Sequence, residues 1–241
     1  MFIDAREGVS GDMLLAAMLG MLPDDERAGA VSALKTASSR RGMRMDFSET
    51  DDAGDHGSFI AYVSRSPEPS GASRDEAYTA LAEIEAELGS HSTVGRRMLD
   101  AIMQAEARAH DVPVEQVHLH EIARPQAMVN IAGISLVHGM FAARGDEEYI
   151  SSPITTGRGM VVVSHGAVRI PAPACRFLLE GMMHVPGDSP GERATPVGVA
   201  AIKTLASRQS EEVPGASVER AVGFGTRRFG GRLGRVALLR T

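Results

Sequence analysis

Two histidines and a glutamate, His118, His120 and Glu121, form the most chemically suggestive group in the sequence. In an extended segment successive side chains alternate between faces, so both imidazoles would leave one face while Leu119 points to the other. Imidazole and carboxylate together are a ligand set that divalent zinc, nickel, iron or copper accepts. A strand edge with two solvated histidines has the same spacing, so the spacing alone leaves both interpretations open.

Arginines next to glycines form a second candidate group. Arg158 stands between two glycines that allow close backbone approach, which suits a phosphate contact. Arg227 and Arg228 belong to the segment 220–241, which holds six arginines and no acidic residue, whereas the rest of the chain carries −12. Guanidinium groups bind phosphate and carboxylate in a bidentate manner. The segment therefore suits a local anion site, with a solvated basic segment as the alternative.

Five blocks of sequence resemble, in the same order, the LarC-type nickel insertion proteins. These proteins place nickel into a pyridinium bisthiocarboxylate mononucleotide to complete the nickel-pincer cofactor. The blocks are FIDAREGVSGDM, ARAHDVPVEQVHLHEI, SSPITTGRGMVVVSHGAVRIPAPA, ERATPVGVAAI and AVGFGTRRFGGRLGRVALL. Several collinear motifs are more specific than one HxHE, and the chain is identified as a member of this family over one domain, 1–241, corresponding to the family's first half.

The resemblance implies a lyase-type cyclometallase activity in which nickel is inserted into the anionic mononucleotide. The reaction also needs a base for the proton lost from the ring carbon that becomes metal-bound. The implied metal ligands are His118, His120, Glu121, Asp12 and Asp4. The implied proton acceptors are Glu121 and His165. The expected mononucleotide contacts are Arg158, Arg227 and Arg228.

Several positions depart from the family pattern. Gln126 and Asn130 stand where the family has aspartates, and Ala5, Arg6 and Glu7 replace a cysteine, a phenylalanine and a serine. The lost charges favour an alternative function, a catalytically degenerate scaffold that carries the ligand. A metal-dependent hydrolase is a further alternative, because two histidines and a carboxylate can also activate water.

Composition narrows the class of protein. The formal charge of −6 argues against a nucleic-acid partner, and no apolar run approaches the roughly 18 residues of a membrane span. No charged start precedes an apolar signal core, so a cytoplasmic protein is expected. The lone Cys175 leaves no internal disulfide. Whether the chain forms a homo-oligomer stays open.

Hydrophobic periodicity predicts helices over 24–38, 75–88, 93–110 and 125–144, and a further helix that starts near Ser10. Strands are predicted over 2–4, 44–50, 58–64, 147–154 and 160–164, with a turn over 194–198 before a helix over 199–208. The irregular alternation favours an α+β fold with a mixed sheet covered by helices, with α/β as the alternative. The Pro, Ser and Gly-rich segment 64–74 could divide the domain into two subdomains. His91 and His110 fall at helix ends and are interpreted as structural.

The family's second half is understood to bind cytidine triphosphate together with a divalent metal. This sequence has no GxxxxGK[ST] motif, and its two lysines, Lys35 and Lys203, lie in helical segments without a preceding glycine loop. Truncation and separate coding of the second half both stay open from the sequence, and the expectation is that activity requires a separately encoded, CTP-binding partner that supplies the second half.

Overall fold

A mixed seven-stranded sheet forms one layer of the protein. The computed structural model describes residues 1–65, 71–120, 122–146, 148–163, 166–213, 215–216 and 219–240. The sheet has the order β13-β6-β1-β15-β14-β3-β2. Its strands are β1 (Phe2–Asp4), β2 (Met43–Asp52), β3 (Asp55–Ser64), β6 (Tyr149–Ser151), β13 (Ala206–Gln209), β14 (Glu219–Phe229) and β15 (Arg232–Arg240).

Shorter strands pair outside this sheet. They are β4 (Ala72–Ser73), β5 (His118–Leu119), β7 (Ile154–Thr155), β8 (Gly157–Arg158), β9 (Met160–Val163), β10 (Gly166–Arg169), β11 (His184–Val185) and β12 (Gly191–Glu192). Each belongs to a two-stranded ladder, namely β4 with β5, β7 with β11, β8 with β12 and β9 with β10.

Helices cover the sheet. They are α1 (Gly11–Gly20), α2 (Asp24–Arg40), α3 (Arg74–Leu88), α4 (Val94–His110), α5 (Pro125–Ala142), α6 (Pro173–Leu178) and α7 (Pro196–Leu205). Strand β1 pairs parallel with β6 and antiparallel with β15, so the sheet is mixed. The α+β prediction is confirmed, as are the predicted helices over 24–38, 75–88, 93–110 and 125–144.

Helix α1 is the buried centre of the fold. It packs on β3, β14 and β15 on one side and against α5 on the other. Glycine at position 223 of β14 allows this approach, because an added Cβ would lie 1.8 Å from the carbonyl oxygen of Met13. The close seating fixes the first turn of α1, and therefore Asp12, against β14.

Two predicted boundaries near the C-terminal half are wrong. The helix predicted over 199–208 begins earlier, because the Thr195 hydroxyl accepts from the backbone N–H of Gly198 and Pro196 occupies the first turn. It ends at Leu205, and Ala206–Gln209 instead pairs with β6. The strand predicted over 147–154 is likewise two short strands, β6 and β7. The helix start is therefore set by local capping, whereas its end and the division of the strand follow from long-range pairing.

Buried side chains on both sides of the segment 64–74 belong to one hydrophobic cluster. Leu14 and Leu34 precede the segment and Leu81 and Ile131 follow it, all 2% exposed or less. The division into two subdomains stays a prediction. Among the helices of the described ranges, none has the length and apolarity needed to cross a membrane.

Candidate functional site

The two histidines of the HLHE segment lie close together, His118 on the short strand β5 and His120 directly after it. Strand β5 pairs antiparallel with β4, so His118 lies opposite Ser73. Leu119 is buried, whereas His118 is exposed and His120 is half-buried. The two ring centroids are 5.1 Å apart, with planes inclined by 65°. The segment therefore presents one imidazole to solvent and a second, adjacent one closer to the protein body.

His120 lines a cavity of about 560 Å³. Part of its wall is apolar, because Val161 and Val168 are cross-strand partners in the β9–β10 ladder and both face inward. Charged and imidazole side chains from separate elements complete it. These residues are Glu106, His110, His120, Arg124, Glu192 and Arg227. The cavity thus combines an apolar surface with groups able to bind a cation or an anion.

A smaller pocket of about 130 Å³ adjoins this cavity. The two share Glu192, Thr195 and Arg227 in their linings. Asp12 and Ser10, at the start of α1, line the smaller pocket. These shared residues make the two spaces neighbours, and together they are called the cleft, with His120 lining the larger cavity and Asp12 lining the smaller space, called the inner pocket.

Asp12 has an enclosed carboxyl group. Ser10 does not cap helix α1 with its side chain, as a helix start would suggest, but donates a 2.5 Å hydrogen bond to Oδ1 of Asp12. Burial raises the pKa of the Asp12 carboxyl, and this outweighs the opposing effects of Ser10, nearby backbone N–H groups and Arg227. A carboxyl with a raised pKa inside a cleft is a candidate group for accepting and releasing a proton.

Arg227 and Arg228 point in different directions from β14. Arg227 lines the cleft, where its Nη1 lies 3.8 Å from Oε2 of Glu192. Nη1 of Arg228 instead donates a 2.9 Å hydrogen bond to Oδ1 of Asp52, next to the β2–β3 turn. Successive side chains of a strand face opposite ways, which explains the separation. Of these two candidates, Arg227 is brought to the cleft and Arg228 is placed in a surface ion pair.

Asp4 lies in another hollow, of about 300 Å³, lined also by Arg220 and Arg235. Arg6 donates to both carboxylate oxygens of Asp4, at 2.8 and 2.5 Å. Burial opposes ionisation of Asp4, but these hydrogen bonds hold its pKa below the usual value. Arg158 is exposed on β8 and is absent from the described lining of the cleft. The structure therefore does not bring Asp4 or Arg158 to the imidazole pair.

Arg193 organises the loops around the inner pocket. Its Nη2 donates 2.8 Å hydrogen bonds to Asp188 and Ser189, and its guanidinium carbon lies 4.2 Å from the centroid of the Phe229 ring. Its carbonyl oxygen accepts from the backbone N–H of Val9 at 2.8 Å. The side chain is 6% exposed. Sequence analysis missed this residue, because its partners come from distant parts of the chain.

Glu106 and His110 were also missed as site residues. They lie four residues apart in the last turns of α4, and Oε2 of Glu106 is 3.4 Å from Nε2 of His110. Their spacing on one helix face was a usable signal. Their position on the same cavity as His120 was not readable from sequence, because it depends on the tertiary packing of α4.

Two predicted site residues, Glu121 and His165, fall outside the described residues. Their neighbours Ile122 and Gly166 are described, the first buried and the second exposed. Within the described part of the chain, no group of three or more His, Cys, Asp or Glu residues is arranged to hold a metal ion.

Comparison with known proteins gives a consistent result. The family model described as nickel insertion protein matches residues 1–240. A protein from Thermomicrobium roseum is 33% identical over 238 residues, which are 94% of this chain and 54% of that protein. No solved structure matches the chain.

Two further relatives carry a more specific name, pyridinium-3,5-bisthiocarboxylic acid mononucleotide nickel insertion protein. The one from Desulfitobacterium hafniense is 41% identical over 122 residues, covering 51% of this chain and 29% of the relative. The one from Staphylococcus saprophyticus is 27% identical over 223 residues, covering 86% and 51%. The chain spans about half the length of the curated relatives it matches along most of its length.

Proposed function

The chain belongs to the nickel insertion protein family, and from this membership we propose that it is the metal-handling half of a nickel-pincer cofactor assembly protein. Its substrates are then a divalent nickel ion and the pyridinium bisthiocarboxylate mononucleotide, and it acts in the cytoplasm with a partner region that binds cytidine triphosphate. The observation that carries this proposal is the imidazole pair, His118 and His120, of which His120 lines a cleft with both apolar and cationic walls.

Each part of the cleft suits one part of the proposed substrates. Imidazole is a good nickel ligand, and His118 and His120 present two of them at adjacent positions. The inward-facing Val161 and Val168 suit a flat pyridinium ring. Arg227 lies beside Thr195, the N-cap of α7, and together they suit a phosphate or carboxylate group.

The proposed insertion needs a proton acceptor. The ring carbon–hydrogen bond breaks, its electron pair forms the carbon–nickel bond, and the proton passes to a base while nickel stays divalent. Asp12 is a suitable acceptor among the described residues, because its carboxyl is enclosed, has a raised pKa and lies in the inner pocket. Glu121 and His165 remain proposed acceptors from the sequence.

A second candidate function is favoured by Asn130. This residue stands where the family has an aspartate, is 7% exposed and contacts the first turn of α1. A neutral amide at this position fits a scaffold that binds the mononucleotide without inserting metal.

Metal analysis tests the two candidates. The purified chain is mixed with Ni²⁺, with and without the mononucleotide, then passed through a desalting column and analysed for metal. We expect nickel to be retained in about equimolar amount when the mononucleotide is present. A chain that binds the mononucleotide but retains no nickel is a scaffold, and tightly held zinc with no nickel in either sample contradicts nickel insertion.

A further inference from the structure

The ladder formed by β9 and β10 carries exposed apolar side chains on one face. Met160 is 59% exposed and Val162 is 80% exposed, the two highest values among the large apolar side chains of the described residues. Side chains two residues apart in a strand leave the same face. Their cross-strand partners are Arg169 and Ala167, which are exposed as well. These four residues define the outer face of the ladder.

The opposite face of the same ladder belongs to the cleft. Val161 and Val168 line the larger cavity there, and Val162 also belongs to its lining. The ladder is thus a thin wall of the cleft with apolar residues on both faces. A two-stranded ladder is only marginally stable unless a further layer packs against it. A second body on the outer face would therefore support this wall and help to keep water out of the cleft.

Two arginines flank the exposed apolar side chains. Arg169 lies opposite Met160, and Arg158 precedes Met160 by two residues. Both arginines are exposed, and within the described part of the chain neither guanidinium group has an ion-pair partner. Methionine and arginine are both enriched at protein–protein interfaces. The unpaired positive charge favours a partner whose own apolar contact is flanked by carboxylates.

The longer relatives indicate which partner this is. The chain corresponds to 54% of the Thermomicrobium roseum relative, so nearly half of that protein lies outside the matched part. The proposed partner region corresponds to this remainder, and it has to act on a substrate that is held in the cleft. It must therefore meet the chain beside the cleft, and the outer face is an exposed apolar surface at that place.

We propose that the outer face of the β9–β10 ladder is the docking surface for the partner region, which presents an apolar patch flanked by carboxylates and covers this wall of the cleft. The inference rests on the proposed function in taking the partner region as the second component. A stable interface buries about 800 Å² on each side, so the outer face is the centre of a larger contact.

Biolayer interferometry tests the proposal with the full chain and the remaining region of the Thermomicrobium roseum relative as a separate polypeptide. Met160→Asp should weaken binding by about tenfold or more, because it places a charge inside the apolar contact. Met160 is absent from the described lining of the cleft, so this variant should still bind nicotinate mononucleotide like the wild type. Val63→Asp is the matched control, because Val63 is 48% exposed but lies on β3 of the main sheet. Its affinity for the partner region should stay within about twofold of the wild-type value.

Charge reversal tests the contribution of the two arginines. Arg158→Glu combined with Arg169→Glu should weaken binding by about tenfold or more, and added salt should weaken wild-type binding, because the contact pairs opposite charges. Arg65→Glu is the matched control, since Arg65 is exposed and follows β3 directly. Equal losses in the double variant and in the control would show that net charge, and not this surface, attracts the partner.

A second measurement needs no variant. Amide hydrogen exchange in β9 and β10 should slow when the partner region is added, whereas exchange in β3 should not change. No binding by the wild type, equal losses in Met160→Asp and Val63→Asp, or a homodimer of the chain that dissociates in Met160→Asp would each overturn the proposal. If the partner docks on the outer face but nickel never enters the mononucleotide, the insertion function fails while this surface stands. Nickel retained with the mononucleotide but no docking would remove this surface and leave the proposed function in place.

Discussion

The hydroxyl group of Tyr62 donates a 2.7 Å hydrogen bond to the side-chain oxygen of Asn130. Both residues are close to the first turn of α1. Asn130 contacts Gly11, and the charge of Asp12 adds to burial in raising the pKa of Tyr62. The neutral amide at position 130 therefore faces a hydroxyl donor and avoids a second carboxylate near Asp12. This gives a physical reason for the departure from the family's aspartate.

The first prediction follows from that contact. Asn130→Asp places a charge at a site that is 7% exposed and near Asp12, and should lower the free energy of unfolding at pH 7 by about 1–3 kcal/mol. The loss should shrink at pH 4, where the new carboxyl group is protonated. Chemical denaturation at both pH values measures it.

Gln126→Asp is the matched control for this change. Gln126 is half-buried in the first turn of the same helix, α5, where the helix dipole favours a carboxylate. Its unfolding free energy should change by less than about 0.5 kcal/mol or rise slightly. Equal losses in the two variants would show that burial beside Tyr62 is not the cause.

The second prediction concerns the imidazole pair. His118→Ala combined with His120→Ala should weaken Ni²⁺ binding by well over tenfold, because both rings are proposed ligands. The fold should be kept, since His118 is exposed, His120 is half-buried and neither fills the core. Calorimetry gives the affinity and circular dichroism the fold. His184→Ala, an exposed histidine on β11, is the control, and unchanged nickel affinity in the folded double variant would remove the ligand assignment.

The third prediction separates Arg227 from Arg228. Arg227→Gln should weaken binding of nicotinate mononucleotide, used as a pyridinium mononucleotide probe, by about tenfold or more, because a hydrogen bond to a charged group contributes about 1.5–3 kcal/mol. Arg228→Gln should bind within twofold of the wild type, since Arg228 pairs with Asp52 away from the cleft. Fluorescence or calorimetric titration decides it, and equal losses would mean that general positive charge attracts the probe.

The fourth prediction uses two carboxyl groups with opposite pKa shifts. The pKa of Asp12 is higher in the folded state than in the unfolded state. The stability that this carboxyl group contributes is therefore present at pH values below its unfolded-state pKa and is lost as pH rises through its folded-state pKa. Asp12→Asn should therefore gain stability relative to wild type as pH rises from 4 to 7. Thermal unfolding over that range measures the trend.

Asp4 provides the opposite case. The hydrogen bonds from Arg6 lower the pKa of Asp4 in the folded state, despite burial. The stability that this carboxylate contributes is therefore present at pH values above its unfolded-state pKa and is lost as pH falls through its folded-state pKa. Asp4→Asn should be less stable than wild type at pH 7, and this difference should fade toward acidic pH. If both variants follow one trend, the environments assigned to the two carboxyl groups are wrong.

Much of the fold was readable from local sequence, and the site only in part. Helices α2 to α5 follow from apolar spacing that repeats within each segment. Residues 206–209, in contrast, continue an apolar helix but become a strand, because they pair with Tyr149–Ser151. Such distant pairing leaves no local signal.

The same distinction applies to the site. The spacing of His118 and His120 was visible, and the structure brings their rings to 5.1 Å. The position of His110 at the cavity and that of Arg193 between loops depend on packing between elements that are distant in the chain, so neither could be read from one sequence. Arg227 and Arg228 are equivalent in the sequence, because the strand face from which each side chain leaves β14 is fixed only by the packing of that strand.

The last prediction concerns the partner region. The cleft contains groups suited to nickel and the mononucleotide, whereas the sequence has no GxxxxGK[ST] motif for a nucleoside triphosphate. The chain spans about half the length of the relatives from Thermomicrobium roseum and Staphylococcus saprophyticus. We therefore expect the purified chain with Ni²⁺, cytidine triphosphate and the mononucleotide to give no repeated turnover and no triphosphate hydrolysis. Adding the remaining region of the Thermomicrobium roseum relative as a separate polypeptide should restore both. Absorbance of the metallated product and release of nucleotide are the two measurements. Repeated turnover by the chain alone would show that this division of labour is wrong, because the cleft would then have to bind the triphosphate as well.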